Sequence, residues 1–422
     1  MPSSRPAASA RAASLASSFH RAAQTILPRR GRSRRNESPR ERNAPHPAQK
    51  QPKTLPSPSL GRLVTNVVKV CGELGSDGLG VRRSSSALHP SAFSPFLLLD
   101  HCGPQRVPRP GDIRSEEPRC GQQALTFVTS GKLHYADSCG NEAVLKKGSV
   151  SLLTAGSGLI VSHSVHGPII EYFSIWINIP KEMRAAPPEQ RMTENPPFLV
   201  TGQGESAARI CVLAGPTNRD VKASVDHDIK RERSSVELET AAGSAAVYDV
   251  KMQRKSQLVL NPNTSRVFIY VYRGAALISK TTEVKEGDLA VLESNRDRPV
   301  VIDSVGVRRE TVPKPDHDFS DFDTFEEHAC WCLVLAGDPV SEPVSMMSSG
   351  IVGGTPQEIR KAFQEYTCGS MGSGSPTFSK RKFSAYDSDC EGDYDACPSS
   401  GSSELSTDES ESSIAGLNKL RI

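Results

Sequence analysis

The chain has 422 residues and a formal net charge of +3, and it is 36% hydrophobic and 5% aromatic. This length allows two or three domains, and the low apolar content indicates that part of the chain lies outside any packed core. No run of about 18 apolar residues occurs, which excludes a membrane-spanning helix. Ten cysteines without a CxxC pair exclude a disulfide scaffold and a structural zinc site of the usual spacing, so we expect a reduced, intracellular protein.

The first 58 residues form a basic segment rich in Arg, Ala, Ser and Pro, with no acidic residue before Glu37. Leu15, Phe19 and Ile26 recur among arginines at roughly helical spacing, as in a mitochondrial or plastid transit peptide. The run RRGRSRR at Arg29–Arg35 equally fits nuclear import or contact with nucleic acid. A solvated, disordered extension is the third interpretation, so the compartment stays open between cytoplasm, nucleus and organelle.

The pattern changes at about residue 59 to short apolar runs separated by turns, which predicts an all-β fold of the barrel type. The stretch LVTNVVKVCG predicts a strand with Val64, Val67 and Val70 as its apolar positions. Phe96–Leu99 is a continuous apolar run of the length of a buried strand.

A repeated unit indicates two barrels. The segment 265–293 follows the pattern of the segment 125–154: a β-rich run with a glycine, a polar hairpin, a charged turn with a second glycine, and another apolar strand. Two copies of one β-unit predict tandem barrels. In the second copy aromatic residues alternate with aliphatic ones, which predicts a strand covered on both faces: Phe268, Tyr270 and Tyr272 against Ile269 and Val271.

The carboxy-terminal part begins with the clearest helix signal of the chain. Thr355 is placed to cap a helix, Pro356 suits its first position, and Glu358 completes a capping box. One apolar stripe predicts that this helix docks on a barrel: Ile359, Ala362, Phe363 and Tyr366. After Gly369 the chain is rich in Ser and Gly and then acidic, which predicts a disordered tail whose serines suit acid-directed phosphorylation.

Several phrases, in order, resemble the pirin family. They are VVKV, VRRS, FSPFLLLDHCG, TFVTSGKLHYADSCGN, VLKKG and LTAGSG, followed by FSIWINIPKEMRAAPPEQ, LAGDPVSEPV and TPQEIRKAFQEY. The resemblance spans roughly residues 61–368. It implies two tandem cupin (jelly-roll) β-barrels with a C-terminal helix packing back on the core.

The repeat and the resemblance together divide the chain into five parts. We expect a basic disordered extension or transit peptide at 1–58, an N-terminal pirin-like cupin at 59–200 and a C-terminal pirin-like cupin at 201–345. A segment with the docking helix follows at 346–369, and an acidic disordered tail at 370–422.

The resemblance also implies a mononuclear iron in the first barrel, held by a His-x-His pair and by a His and a Glu two residues apart on a facing strand. These positions correspond here to Glu117, Arg119, Val161 and His163. Arg119 stays protonated and Val161 offers no lone pair, so we expect no bound metal, no other cofactor and no catalytic residue. In place of the metal we expect an ion pair of Arg119, either with Glu117 on the same face or with an acid across the barrel.

Other metal or redox candidates are weaker. His101, His134 and Cys120 could supply ligands only if the barrel were rearranged. The stretch PDHDFSDFD, from residue 315, lacks the glycine and distal Glu of a calcium loop and reads as a solvated acidic turn. Cys330 and Cys332 share one face of a predicted strand, where buried inert thiols are expected rather than a redox pair.

These observations favour a non-catalytic binding or regulatory protein. The family resemblance implies a nuclear role of the transcription co-regulator type. A quercetin 2,3-dioxygenase-like enzyme with a non-standard ligand set is the alternative, and a scaffold whose tails bind is the third. We expect protein partners, no membrane contact and a monomer. Direct contact with nucleic acid is expected only through the basic extension, because phosphates repel the acidic tail.

Overall fold

The computed structural model describes residues 61–75, 78–107, 111, 114–215, 238–305, 328–347 and 349–372. The predicted basic extension, the acidic turn after residue 315 and the acidic run from residue 387 onward lie outside these ranges. Within them, no helix combines the length and the apolar character needed to cross a membrane.

The first β-sheet is built mainly from the segment between residues 72 and 193. Its strands are β2 (Gly72–Leu74), β3 (Gly80–Arg83), β4 (Phe96–Arg106), β5 (Arg114–Arg119), β6 (Gln122–Asp137), β7 (Glu142–Lys146), β8 (Val150–Thr154), β9 (Leu159–Asn178) and β10 (Glu189–Thr193). They run in the order β10-β8-β6-β9-β4-β3-β2, with β5 beside β9 and β7 beside β6.

The second β-sheet takes the later strands and one early strand. It contains β1 (Val64–Lys69), β11 (Phe198–Thr201), β12 (Ala208–Ala214), β13 (Ala246–Gln253), β14 (Gln257–Leu260), β15 (Arg266–Ile278), β16 (Thr282–Lys285), β17 (Asp288–Leu292), β18 (Val300–Val305) and β19 (His328–Gly337). The order is β1-β17-β15-β19-β13-β12-β11, with β14 on β18 and both β16 and β18 on β15. Strand β1 is thus the predicted first strand, but it pairs with the second barrel.

Helices are few and short in the described residues. Helix α1 spans Pro90–Phe93 and helix α2 spans Pro356–Thr367, and a two-strand ladder of β20 (Ser345–Met346) and β21 (Val352–Gly353) precedes α2. The Thr355 hydroxyl accepts the Glu358 N–H at 3.2 Å, as predicted for the cap. The Glu358 carboxylate accepts the Gly354 N–H instead of the Thr355 N–H, so the expected capping box closes one residue earlier.

The repeated unit appears as two equivalent groups of three strands. The predicted unit 125–154 becomes β6, β7 and β8, and the unit 265–293 becomes β15, β16 and β17. The predicted glycines Gly131 and Gly274 both adopt positive φ, at 76° and 73°, within the long strands β6 and β15. The pattern in the sequence therefore marks one structural unit used twice.

Three apolar layers hold the sheets together. Each sheet encloses its own core, and a shared core lies between the two sheets. On β15 the shared core takes Phe268, Tyr270 and Tyr272, whereas Ile269 and Val271 point into the second barrel, which confirms the predicted two-faced strand.

The two cysteines of β19 also follow their predicted placement. Cys330 and Cys332 are fully buried inside the second barrel, and Trp331 faces the other way toward the shared core. The hydrogen bond with Cys330 and, after it, burial raise the pKa of Cys332, as expected for buried thiols that stay protonated.

Candidate functional site

The four candidate positions lie on two neighbouring strands of the first sheet. Strands β5 and β9 pair antiparallel, with Glu117 opposite Val161 and Ser115 opposite His163. Partners in an antiparallel pair share a face, so all four candidates point to the same side. The expectation of facing strands was wrong: the two pairs converge because their strands are hydrogen-bonded to each other.

Arg119 is a permanent cation in a largely buried position. Its side chain is 10% exposed, and its Nη2 lies 2.5 Å from the Glu117 Oε2. The guanidinium carbon also lies 4.9 Å from the centre of the Trp176 ring, within cation–π distance. Of the two pairings expected for Arg119, the ion pair with Glu117 is present, and the Trp176 ring lies beside it.

His163 and Val161 complete the group from β9. Burial lowers the pKa of His163 to about 4, and the charge of Arg119 lowers it further in the same direction. The imidazole is thus neutral near pH 7. Val161 is 2% exposed and packs in the core of the first barrel beside Leu159.

Tyr135 and Asp137 on β6 face the same space, and sequence reasoning missed both. The Tyr135 hydroxyl donates to the Asp137 Oδ2 at 2.7 Å. Asp137 also accepts the backbone N–H groups of Cys139 and Asn141 at 2.9 and 3.0 Å. This carboxylate therefore anchors the turn after β6. The YxD spacing before a Ser-Cys-Gly turn was the available signal, because residues two apart on a strand share a face.

The segment before and after β21 covers the Arg119 end of β5. The Cys120 N–H donates to the Gly350 carbonyl at 3.2 Å, and the Val352 N–H donates to the Cys120 carbonyl at 2.9 Å. Gly350 adopts a φ of 103° and lies directly against Pro118 and Arg119. The chain thus returns from the second barrel to close over the candidate site.

Comparison with known proteins relates this arrangement to one family. A family model described as Pirin matches residues 79–177, which include β3 to β8, nearly all of β9 and all four candidate positions. A Pseudomonas aeruginosa protein is 28% identical over 311 residues, covering 71% of this chain and 95% of the relative. These likenesses support membership of the pirin family.

Two further likenesses extend over the same two-barrel region of this chain. The Pseudomonas relative carries the provisional name quercetin 2,3-dioxygenase. A pirin-like protein of Arabidopsis thaliana is 23% identical over 311 residues, covering 72% of this chain and 85% of the relative. The crystal structure of a quercetin 2,3-dioxygenase from Acinetobacter baumannii covers 75% of this chain and 99% of that protein, with a TM-score of 0.58 and 21% identity. At that identity the likeness speaks for the fold alone, and it confirms the all-β tandem cupin architecture.

The iron that the family resemblance implies requires several converging donors. Among residues that the structure describes, no three His, Cys, Asp or Glu side chains come close enough together to hold a metal ion. At the four family positions only Glu117 and His163 carry donor atoms, and a buried guanidinium stands beside them. These residues do not fit an iron site of three or four ligands.

The remaining histidine and cysteine candidates lie elsewhere in this protein. His134 occupies the opposite face of β6 from Tyr135 and stacks on His166, with ring centres 3.6 Å apart. His101 lies between the two sheets, where its Nε2 is 2.9 Å from the Glu171 carboxylate. Cys120 is buried beneath the carboxy-terminal segment, and burial raises its pKa to about 11. The structure does not bring these side chains to the candidate position.

Proposed function

We propose that this protein acts by binding a partner and not by iron-dependent catalysis. The observation that carries the proposal is the 2.5 Å ion pair of Arg119 and Glu117, at the two positions that correspond to the family His-x-His pair. A guanidinium keeps its positive charge at every physiological pH and has no lone pair to donate. A metal cation at the same point would meet like-charge repulsion and would compete with Arg119 for Glu117.

The second strand supports the same proposal. Val161 places an alkyl group where the family keeps a histidine, and only His163 retains an imidazole. Its low pKa keeps the lone pair available, yet with Glu117 it makes at most two protein ligands. A guanidinium held by a carboxylate links the same strands without a metal.

We assign another protein as the partner. The role that the family resemblance implies for this chain is regulatory, of the co-regulator type. The carboxy-terminal segment covers the Arg119 end of the first barrel. A protein partner would therefore contact the outer surface or the tails and not the former metal position. Pull-down by the full chain and by a chain ending at Gly369 distinguishes those two surfaces.

The enzyme alternative is favoured by one observation, the name quercetin 2,3-dioxygenase carried by similar proteins. Elemental analysis of the full chain, purified after growth with added iron and passed through a chelating column, tests both functions. We expect substoichiometric metal and no oxygen uptake above background with quercetin, also after anaerobic loading with Fe(II). One tightly bound iron per chain together with quercetin-dependent oxygen uptake would overturn the proposal.

A further inference from the structure

A polar cluster interrupts the apolar layer between the two barrels. Its centre is His101 on β4, which is fully buried and stacks on Phe173 with ring centres 4.4 Å apart. Apolar and aromatic side chains of both sheets form the shared core around it. A polar group buried in such a layer needs hydrogen-bond partners inside the protein, so the neighbours of His101 decide where its ring carries a proton.

The Nε2 atom of His101 faces a carboxylate on β9. It lies 2.9 Å from Glu171 Oε1, and the same oxygen accepts Arg273 Nη2 at 2.6 Å. The other carboxylate oxygen accepts the Thr129 hydroxyl at 2.9 Å. Burial would raise the pKa of Glu171, but His101 and Arg273 together lower it to about 2. An ionised carboxylate only accepts hydrogen bonds, so Nε2 carries a proton and donates it.

The Nδ1 atom of His101 faces two donors. It lies 3.0 Å from the Tyr270 hydroxyl and 3.4 Å from Arg82 Nη1. A guanidinium has no acceptor atom, and a neutral imidazole carries one proton, so Nδ1 is the acceptor and Tyr270 donates to it. A second proton on the ring would remove this acceptor and place a new positive charge beside Arg82.

Tyr270 and Arg273 connect these groups to the second barrel. Both lie on β15 of the second sheet, whereas the histidine and the glutamate that they contact lie on the first sheet. From the first sheet, Arg82 of β3 also reaches the second barrel, with its Nη2 3.9 Å from Glu286 Oε1. We call five residues the His101 cluster: Arg82, His101, Glu171, Tyr270 and Arg273. One of its two hydrogen bonds between the sheets therefore depends on an unprotonated Nδ1.

We propose that the His101 cluster is a pH-sensitive contact between the barrels, which holds them together while His101 is neutral and weakens when Nδ1 binds a proton. A cavity of about 520 Å³, which Glu171 lines, lies beside the cluster and is where the interface can separate. The former metal position takes no part, so the device is independent of whether the first barrel binds metal.

Acid favours separation of the barrels. In the closed interface burial lowers the pKa of His101, although Glu171 raises it, whereas a solvated histidine has a pKa of about 6.5. Between these two values the separated form binds a proton that the closed form does not. The separated fraction should therefore rise about tenfold for each pH unit of acidification below about 6.5, until the pKa of the closed form is reached.

Other buried titratable groups near the cluster do not produce this effect. Burial raises the pKa of Tyr270 to about 12, so its hydroxyl keeps its proton. Asp249 of β13 accepts the Tyr272 hydroxyl at 2.5 Å, and burial raises its pKa. A carboxyl whose pKa is raised by burial stabilises the closed form as the pH falls, so the titration of Asp249 has the opposite sign from that of His101.

Two buried cysteines distinguish separation of the barrels from unfolding. Cys211 lies in the shared core and lines the cavity, whereas Cys332 is fully buried inside the second barrel. The full chain is labelled with N-ethylmaleimide between about pH 7.5 and 5, and the rates are resolved by mass spectrometry. Division by the rate at the exposed Cys71 removes the pH dependence of thiol reactivity.

The expected signal is an excess of labelling at Cys211 over Cys332. This excess should rise about tenfold per pH unit below about pH 6.5. Equal labelling of the two cysteines at every pH would mean that only global unfolding exposes Cys211, and would overturn the proposal. An excess that does not change with pH would also overturn it.

Variants assign the pH dependence to one histidine. In His101→Gln the amide can donate to Glu171 and accept from Tyr270 but binds no proton, so the excess labelling should become independent of pH. His134→Gln is the matched control and should keep the pH dependence. His134 is also buried, and its pKa is also lowered, to about 4, but it lies outside the cluster. Unchanged pH dependence in a folded His101→Gln variant would contradict the proposal.

Nitrogen NMR of the imidazole rings tests the wild type without any variant. Near neutral pH the ring of His101 should be uncharged, with its proton on Nε2. A charged ring, or a neutral ring with its proton on Nδ1, would overturn the proposal even if His101→Gln fails to fold.

Discussion

The Arg119 guanidinium and the Glu117 carboxylate form an ion pair within one strand, two residues apart on the same face of β5. The arginine is nearly buried, whereas the glutamate side chain is 33% exposed. Water therefore reaches one partner, which reduces the desolvation cost that makes fully buried pairs unfavourable. The pair keeps a permanent cation inside the barrel wall. Removal of the Glu117 carboxylate should therefore lower the free energy of unfolding by a measurable amount.

Glu117→Gln should destabilise the protein by about 1–3 kcal/mol, because it leaves the Arg119 charge in a buried position without its carboxylate. The double variant Glu117→Met with Arg119→Met should recover part of that loss, since it removes both charges and fills the space with apolar atoms. Urea denaturation at pH 7 measures both. The control is Glu205→Gln, which breaks an exposed ion pair with Lys255 and should cause no measurable change. Equal stability of wild type and Glu117→Gln would contradict a structural role for the pair.

The pKa of His163 provides a second test of the same site. Burial and Arg119 lower it to about 4, compared with roughly 6.5 in an unfolded chain. Between these values the unfolded chain binds a proton that the folded chain does not, so this histidine makes stability fall as the pH drops from about 6.5 to 4. His163→Gln should flatten the dependence of unfolding free energy on pH in that window.

The effect of Arg119 on the pKa of His163 can be separated from the effect of burial. Arg119→Leu should raise the pKa of His163 but leave it below its ordinary value, because burial is the larger cause. His134 is the internal control: its pKa is also about 4, but its causes are burial, His166 and Lys132. Histidine resonances followed by NMR titration should therefore move for His163 alone. Equal movement of both would indicate a general loosening of the barrel.

Local patterns predicted much of this fold. The two-faced alternation from Phe268 to Tyr272, the opposite faces of Cys330 and Trp331, and the Thr355 cap all depend on neighbours in sequence, and the structure has each of them. The spacing of two residues on one strand also predicted that Glu117 and Arg119 share a face, which made their ion pair one of the two expected pairings of Arg119.

Contacts between residues far apart in the sequence could not be predicted from local patterns. Strand β1 pairs with β17, more than 200 residues away, and no local signal distinguishes that partner from the strands of the first barrel. The contact of His101 with Glu171 and Tyr270 joins three strands of two sheets. No local pattern in the sequence connects these three side chains, because their partners are set by the packing of one barrel on the other.

The carboxy-terminal cover depends on Gly350. Its positive φ is one that side chains rarely adopt, and a methyl group there would overlap the Pro118 carbonyl and the Arg119 guanidinium. Gly350→Ala should therefore detach residues 349–372 from β5 and accelerate amide exchange at Cys120 and Val352. Gly369→Ala is the matched control, because Gly369 also has positive φ but has open space around it. Gly350→Ala should cost roughly 1–3 kcal/mol more than the control, the usual cost of overpacking. Identical exchange in the two variants would show that the cover does not depend on this contact.

Restoring the family ligand set tests whether β5 and β9 still have the geometry of a metal site. The combined variant Glu117→His, Arg119→His, Val161→His and His163→Glu places three imidazoles and one carboxylate on the shared face. Because Glu117 lies opposite Val161 in the register, the new side chains should converge and bind Fe(II) or Ni(II) at about one ion per chain. Equilibrium dialysis with elemental analysis measures the stoichiometry. The same variant with Val161 retained is the matched control and should bind more weakly, since one of four ligands is missing. Failure of the fully substituted, folded variant to bind metal would mean that these are not the family ligand positions, whereas strong binding by wild type would mean that Arg119 does not replace the metal.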